Sequence, residues 1–209
     1  MRVGFVLECQ GDGADVQICR WIAKEVCPAL VLADGCFSTL SNKRVLMEQC
    51  GEEAKKLLAA GCEHVFVVWD LRPAWPNDAE ELDCAREVEI VKAQLRAARV
   101  PHGRTCLLCI THEIEAWLLA DPEAIRAFCS RPTHQAKHVP SQGRVEHIAW
   151  PKSRVEELCD QRGRRFIAST GALAILKGAR KARLRSVPSY ARFEDKIAAL
   201  CAKALGRAR

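Results

Sequence analysis

Short apolar runs alternate with longer amphipathic segments over the first 129 residues of the chain. Three of these runs are typical of buried strands: residues 2–8 (RVGFVLE), His64–Asp70 (HVFVVWD) and Thr105–Ile110 (TCLLCI). A weaker run at Pro28–Ala33 (PALVLA) predicts a fourth strand. The alternation predicts an α/β fold with a mostly parallel sheet of about four strands and helices on both faces.

The segments between these runs carry apolar residues at helical spacing. They predict helices over Asp15–Val26, Asn42–Ala60, Asp78–Ala98 and Glu113–Phe128, with a break in the last one at Asp121 and Pro122.

Acidic residues stand at or just after the ends of the three strong strands. Glu8 and Asp70 end the first two, and Glu113 and Glu115 follow the third. Open parallel sheets bind ligands at the edge where the carboxyl ends of their strands meet. Carboxylates are ligands for Mg²⁺ or Mn²⁺, so we expect a divalent metal there. Acids in such places also cap helices, which is an alternative explanation for Glu113.

The turn between the first strand and the first helix has the sequence CQGDGAD. It lacks the length and the lysine of a P-loop, and it lacks the GxGxxG fingerprint of dinucleotide-binding proteins. Its two acids, Asp12 and Asp15, argue against a bare phosphate site. They favour a cation.

The remaining part of the chain, residues 130–209, differs in composition. It opens with a loop rich in proline and histidine at 130–151, whose histidines we interpret as solvated. Helices are predicted over Lys152–Cys159, Ser169–Lys181 and about Phe193–Leu205. We therefore divide the chain into an α/β core at 1–129 and a basic, mainly helical C-terminal extension at 130–209 that packs on the core.

The charge of the chain is distributed unevenly between these two parts. Residues 1–129 carry 14 basic and 20 acidic side chains, whereas residues 130–209 carry 18 and 6. A basic part beside an acidic site suits a polyanion such as nucleic acid, although a merely solvated basic surface is the alternative. The candidate nucleic-acid-binding residues are Arg72, Lys177, Arg180, Lys181, Arg183 and Arg185.

Other features restrict the class of protein. The twelve cysteines are scattered through strands and helices, so we expect most of them to be reduced core residues, and the pair Cys106 and Cys109 lacks a second CxxC for zinc. Trp69 and Trp117 stand among apolar residues and are predicted to be core. No run is long and apolar enough for a membrane span, and we expect a cytoplasmic protein.

Several of these motifs resemble a known family. The segments FVLECQGDGAD (5–15), VVWDLRP (67–73) and above all THEIEAWLLADPEAI (111–125) resemble the DUF4276 family, a TOPRIM-like group related to the nuclease domains of OLD-family proteins. The resemblance continues in PKSRVEEL (151–158) and VPSYARFEDKIAAL (187–200). It therefore covers nearly the whole chain and implies a TOPRIM-like, Rossmann-like sheet.

The resemblance also implies roles for individual residues. TOPRIM domains carry a glutamate after the first strand, assigned general acid/base work, and a DxD pair that binds Mg²⁺. Glu8 matches the glutamate and Asp70 the first aspartate, but Arg72 stands in place of the second. Glu113 and Glu115 are candidates to fill that gap as metal ligands. Lys152 matches a further family position and is a candidate to neutralise a transition-state phosphate; the candidate catalytic residues are thus Glu8, Asp70, Glu115 and Lys152.

Two hypotheses of different classes follow. The first is a Mg²⁺- or Mn²⁺-dependent nuclease that hydrolyses DNA or RNA; the resemblance implies a setting in prokaryotic anti-phage defence with an AAA- or ABC-type ATPase partner. The second is a catalytically degenerate TOPRIM scaffold that binds nucleic acid or an ATPase without cleavage, which Arg72 favours. Primase-like nucleotidyl transfer is a third, weaker idea. The sequence leaves the oligomeric state open, a homo-oligomer included.

Overall fold

Four parallel strands form the sheet at the centre of the fold. The computed structural model describes residues 1–11, 13–72 and 83–206. The strands are β1 (Val3–Glu8), β2 (Phe37–Leu40), β3 (His64–Asp70) and β4 (Thr105–Ile110). The helices are α1 (Ala14–Val26), α2 (Lys43–Ala59), α3 (Cys84–Ala97), α4 (Pro122–Cys129), α5 (Pro151–Asp160), α6 (Ala168–Gly178), α7 (Lys181–Arg185) and α8 (Pro188–Gly206).

The order of the strands in the sheet is β2-β1-β3-β4. The three strands that end near acidic residues are therefore neighbours. In the register, Leu7 is paired with Val68 and Asp70 with Ile110. The ends of β1, β3 and β4 consequently lie together at one edge.

Both faces of the sheet are covered, because side chains alternate along each strand. Phe5 and Phe66 point to a core shared with α1, α6 and α8. Val6 and Val67 point to a second core shared with α2 and α3. Trp69 and Trp117 are both buried, as predicted. The α/β class, the parallel sheet of four strands and the helices on both faces are confirmed.

The position of the weakest strand was predicted wrongly. Residues 28–33 form a single parallel bridge between Val31 and Arg2, and β2 lies further along, at Phe37–Leu40. Pro28 lacks a backbone N–H, and the chain turns where the Leu30 N–H donates to the carbonyl of Cys27. Residues 28–33 therefore form one bridge to the sheet and do not continue as a strand.

The ends of the helices differ from prediction by a few residues. Asn42 caps α2 by accepting a hydrogen bond from the Val45 N–H at 3.0 Å. The segment predicted as one helix at 113–128 is a 3₁₀ helix at Ile114–Ala120 followed by α4, because Asp121 and Pro122 begin a new helix. The predicted start of α3 at Asp78 lies outside the described residues.

The C-terminal helices share the core on one face of the sheet. Phe193 of α8 makes edge contacts with the rings of Phe5 and Phe66, at centroid separations of 6.3 and 5.7 Å. A disulfide between Cys27 and Cys201 also joins α8 to the end of α1. The C-terminal part therefore packs directly on the sheet.

Of the twelve cysteines, four form disulfides and eight are free. The second disulfide joins Cys84 to Cys109, so Cys109 is not paired with Cys106.

In the part of the chain that the structure describes, no helix has the length and hydropathy that a bilayer crossing requires.

Candidate functional site

Three carboxylates line one small cleft at the carboxyl edge of the sheet. Glu8 ends β1, Asp70 ends β3, and Asp15 lies in the first turn of α1. The cleft is otherwise lined mainly by apolar side chains: Leu7, Val68, Trp69, Ile110 and Ile114. Acidic side chains at two strand ends and at a helix N-terminus therefore lie next to apolar side chains.

A hydrogen bond across the sheet joins two of these residues. The backbone N–H of Asp70 donates to Oε2 of Glu8, with 3.3 Å between the heavy atoms. The bond is available because β1 ends beside β3 in the register of the sheet. Glu8 is therefore oriented toward Asp70.

Burial and mutual repulsion raise the pKa values of the acids in the cleft. Burial raises the pKa of Glu8 to about 7, against the opposing effect of the Lys43 charge. Burial and then the Glu8 charge raise the pKa of Asp15 to about 7. Burial, followed by the charges of Asp15 and Glu8, raises the pKa of Asp70 well above its usual value.

Glu115 belongs to the same electrostatic group. It lies in the 3₁₀ helix after β4 and is only 8% exposed. Burial, followed by the Asp15 charge, raises its pKa to about 7. Glu115 also raises the pKa of Asp70. The three strand ends and the start of α1 therefore bring four interacting carboxyl groups together, and the charge of Glu113 also raises the pKa values of Asp15, Asp70 and Glu115.

No ion pair within the described ranges neutralises these four acids. The cations that influence them are Lys43, which lowers the pKa of Glu8, and Lys152, which lowers the pKa values of Asp15 and Glu115. Neither lysine outweighs burial. The group carries an excess of negative charge when ionised, which is the electrostatic condition for cation binding.

A buried polar network lies behind Glu8. The Lys43 side chain is 3% exposed and donates to the carbonyl of Leu71 and, at 3.3 Å, to Glu87. Glu87 also accepts a hydrogen bond from the Trp69 indole N–H at 2.7 Å. These contacts hold the end of β3 against the start of α2. They fix the backbone that carries Asp70.

Glu113 has a different role from its neighbours. Its Oε2 accepts a hydrogen bond from the backbone N–H of Lys152, at 2.9 Å, in the first turn of α5. A carboxylate at a helix N-terminus is stabilised by the unpaired N–H groups and by the helix dipole. Capping therefore accounts for Glu113 here, although the helix that it caps is α5 and not the one that follows it in sequence.

Two basic side chains flank the cleft. Lys152 is exposed at the start of α5 and acts electrostatically on Asp15 and Glu115. Arg72 is exposed two residues after Asp70. It helps to lower the pKa of His112, for which burial is the larger cause. His112 is 8% exposed, and its Nδ1 has no hydrogen-bond partner among the residues that the structure describes.

The basic residues of the C-terminal part fall into two groups. Arg180 forms a two-pronged pair with the buried Asp121, at 2.8 Å for both contacts. Lys181 and Arg185 both pair with Glu194. In contrast, Lys177 and Arg183 are exposed and form no ion pair with any described residue. Three of the five predicted C-terminal contacts for nucleic acid are therefore occupied within the fold.

A divalent cation fits this site in its chemistry. The four acids offer only oxygen ligands, which Mg²⁺ and Mn²⁺ prefer, and their repulsion would be relieved by a cation. Among the residues that the structure describes, no three His, Cys, Asp or Glu side chains are already close enough to hold an ion.

No protein-family model, curated protein or solved structure matches the chain. The resemblance to the DUF4276 family therefore stays a prediction based on the motifs quoted above.

Two residues of this site were not predicted from the sequence. Asp15 was recognised as an acid of the turn that favours a cation, but it was not placed with Glu8 and Asp70. Its signal was the acidic, glycine-bearing turn directly after β1. Lys43 gave no signal, because a lysine at the start of a helix is usually exposed.

Proposed function

We propose that the protein is a Mg²⁺- or Mn²⁺-dependent phosphodiesterase that hydrolyses DNA or RNA, with a TOPRIM-like site. The observation that carries the proposal is a group of four carboxyl groups at the carboxyl edge of a parallel sheet, of which Glu115 is buried and Glu8, Asp15 and Asp70 are half-buried. Their pKa values are raised, and none of them forms an ion pair with a described residue. Stability alone does not account for the group, because carboxylates withdrawn from water without an ion-pair partner destabilise a fold.

In this proposal Glu8, Asp15, Asp70 and Glu115 would hold the cation. Bound there, the cation would supply charge stabilisation at a phosphoryl group and lower the pKa of bound water. Glu8, which is held by the Asp70 N–H, is also the candidate to accept a proton during the reaction. Lys152 is exposed beside the acids and is suited to contact the phosphate.

The test is cleavage of plasmid DNA and of RNA in the presence of Mg²⁺ or Mn²⁺. Glu8→Gln and Asp70→Asn keep the size of each side chain and remove its charge. Glu25→Gln and Asp160→Asn make the same changes at exposed acids away from the cleft. We expect each site variant to lose at least about a hundredfold in rate and the controls to keep the wild-type rate. Equal rates in all five proteins would refute the proposal.

A second candidate is a TOPRIM scaffold that binds nucleic acid or an ATPase without cutting. Arg72 favours it, because a cation stands where the family has its second metal-binding aspartate. Calorimetric titration with Mg²⁺ and Mn²⁺ separates the two candidates. Failure to bind either ion at millimolar concentration, together with intact binding of nucleic acid, would support the scaffold.

The proposed biological setting rests on the family resemblance alone. It comprises prokaryotic anti-phage defence and an AAA- or ABC-type ATPase partner. Co-purification of the chain with an ATPase encoded beside it would test this part separately.

A further inference from the structure

A second cavity, of about 480 Å³, lies between the loop at 141–147 and the junction of α7 with α8. Its volume is within the range of ordinary small-ligand sites, roughly 300–1,000 Å³. Its lining includes the apolar residues Leu119, Val145 and Val187. It also includes the basic residues Arg144, His147 and Arg183. The cavity therefore combines an apolar surface with cationic groups.

The two arginines of the cavity have no partner within the described residues. Neither Arg144 nor Arg183 forms a side-chain hydrogen bond or an ion pair there, and both are exposed. The one acid in the lining, Glu146, instead accepts a hydrogen bond from the backbone N–H of Ser189 at 2.8 Å. Two guanidinium groups therefore remain free to bind an anion.

The geometry of α7 explains why Arg183 differs from its neighbours. Lys181 and Arg185 are four residues apart and lie on the same side of the helix, where both reach Glu194. Arg183 is two residues from each and points to another side, where it lines the cavity. The helix thus separates the basic residues that stabilise the fold from the one available to a ligand.

The walls of the cavity are fixed by contacts outside it. The bond from Ser189 to Glu146 ties the loop to the start of α8, and the Ser189 hydroxyl in turn accepts a hydrogen bond from Trp117 at 2.8 Å. On the other side, Gln142 accepts a hydrogen bond from Arg154 of α5 at 2.8 Å. Both sides of the cavity are therefore held in place without a ligand.

The cavity and the acidic group share one structural element, the 3₁₀ helix Ile114–Ala120, which carries Glu115. Leu119 and Ala120, at the end of this helix, form part of the lining of the cavity. His147 and Glu146 act electrostatically on His112, as do Arg72 and Glu113. His112 is therefore within electrostatic reach both of residues that line the cavity and of residues that follow the ends of β3 and β4.

We propose that this cavity binds one nucleotide of a nucleic-acid strand, with its phosphate on Arg144 and Arg183 and its sugar or base on the apolar wall. Guanidinium groups bind phosphate through paired hydrogen bonds, and the mixed lining matches a ligand with both an anionic and a flat apolar part. That this nucleotide belongs to the strand to be cut rests on the proposed function. The binding site itself does not.

The test is equilibrium binding in EDTA, so that no cleavage occurs. The probe is a single-stranded trinucleotide with a 5′-phosphate and a fluorophore at its 3′ end. The test variant is Arg144→Gln/Arg183→Gln. The control, Arg104→Gln/Arg165→Gln, removes the same charge from exposed arginines that do not line the cavity. A second variant, Arg144→Lys/Arg183→Lys, keeps the positive charges but removes the planar guanidinium groups that form paired hydrogen bonds with phosphate.

We expect the glutamine test variant to weaken binding at least about tenfold, the lysine variant by less, and the control by less than about twofold. Equal weakening by test and control would indicate general charge attraction and overturn the proposal. No binding by the wild type at millimolar protein would also overturn it. Circular dichroism melting shows that each variant is folded.

Failure of this proposal is distinguishable from failure of the proposed function. Suppose that Arg144→Gln/Arg183→Gln loses binding while Asp70→Asn and the wild type cleave at equal rates. The proposed nucleotide site would then be supported and the proposed nuclease activity would be refuted. If cleavage depends on Asp70 but binding does not depend on the two arginines, the nucleotide site falls.

Discussion

The carboxylate of Glu8 accepts a hydrogen bond from the backbone N–H of Asp70, although the two residues are 62 positions apart in the chain. Parallel pairing of β1 with β3 brings them together, and burial then raises both of their pKa values. Asp15 and Glu115 extend the same group. The stability of the metal-free protein and its affinity for a cation should both depend on the ionisation of these four carboxyl groups.

The metal-free protein should lose stability as the pH rises from about 4 to above 7. The pKa values of Glu8, Asp15 and Glu115 are raised to about 7, so the folded state binds protons more tightly than the unfolded chain. The stabilisation that these protonated side chains contribute is fully present below their pKa values in the unfolded chain. It is lost as the pH rises through about 7. We expect a loss on the order of 1 kcal/mol or more for each group.

Urea unfolding in EDTA between pH 5 and pH 8 measures this dependence. His112 acts in the opposite direction because its pKa is lowered, but it is one group against several. Asp70→Asn should make the slope shallower. Mg²⁺ should stabilise the protein more at pH 8 than at pH 5, since its ligands must be deprotonated. A stability that rises steadily over this range without metal would contradict the prediction.

Asp15→Asn should weaken binding of Mg²⁺ or Mn²⁺ at least about tenfold while leaving the metal-free protein as stable as the wild type or more so. The change removes one of several repelling charges, which stabilises the metal-free fold, and it also removes an oxygen ligand from the proposed metal site. Calorimetric titration and thermal melting in EDTA measure the two effects. Asp160→Asn, at an exposed position, is the control. Unchanged metal affinity would remove Asp15 from the site.

Asp121→Asn should destabilise the protein by about 2 kcal/mol at pH 7. Asp121 is 1% exposed, caps α4 and pairs with Arg180. Breaking a fully buried pair costs about 3–5 kcal/mol, and the exposure of Arg180 reduces that cost. The pair with Arg180 lowers the pKa of Asp121, so its stabilisation is present above about pH 4 and is lost in acid. Glu123→Gln, on the exposed side of α4, should change stability by less than about 0.5 kcal/mol.

Gly51→Ala should destabilise the protein by about 2 kcal/mol or more, even though alanine favours a helix over glycine by about 1 kcal/mol. A Cβ at Gly51 of α2 would lie 2.3 Å from the carbonyl oxygen of Gln94 in α3. This distance is a steric clash, so α2 and α3 would have to move apart. Gly178→Ala at the end of α6 is the matched control, since its Cβ would meet nothing nearer than 3.9 Å. Chemical denaturation should show that only the first change is costly.

Much of the fold was predictable because its signals are local. The strands at His64–Asp70 and Thr105–Ile110 were predicted with the bounds that the structure has, since continuous apolar runs bounded by polar residues are distinctive. Asn42 and Asp121 begin helices as their side chains favour. The weak strand at 28–33 was misplaced, because the competition between it and Phe37–Leu40 for the edge of the sheet is settled by tertiary packing.

The candidate site was only partly predictable. The sequence placed Glu8 and Asp70 at the ends of buried strands, and the acidic turn indicated a cation. Which acids face one another depends on strand order and on the direction of α1, so Asp15 was missed. The same limit applies to charge pairing: Arg180 and Arg183 are both basic residues of one segment, but one is bound to Asp121 and the other lines a cavity.

The sequence by itself determined the α/β class, the acidic strand ends and the basic character of the C-terminal part, because each follows from the order and spacing of residue types along the chain. The tertiary structure alone decided that Glu113 caps α5, that Lys43 is buried behind Glu8, and that Gly51 lies against α3. These relationships join residues far apart in the chain. Contacts of that kind depend on how the helices and strands pack in three dimensions, which no local pattern encodes.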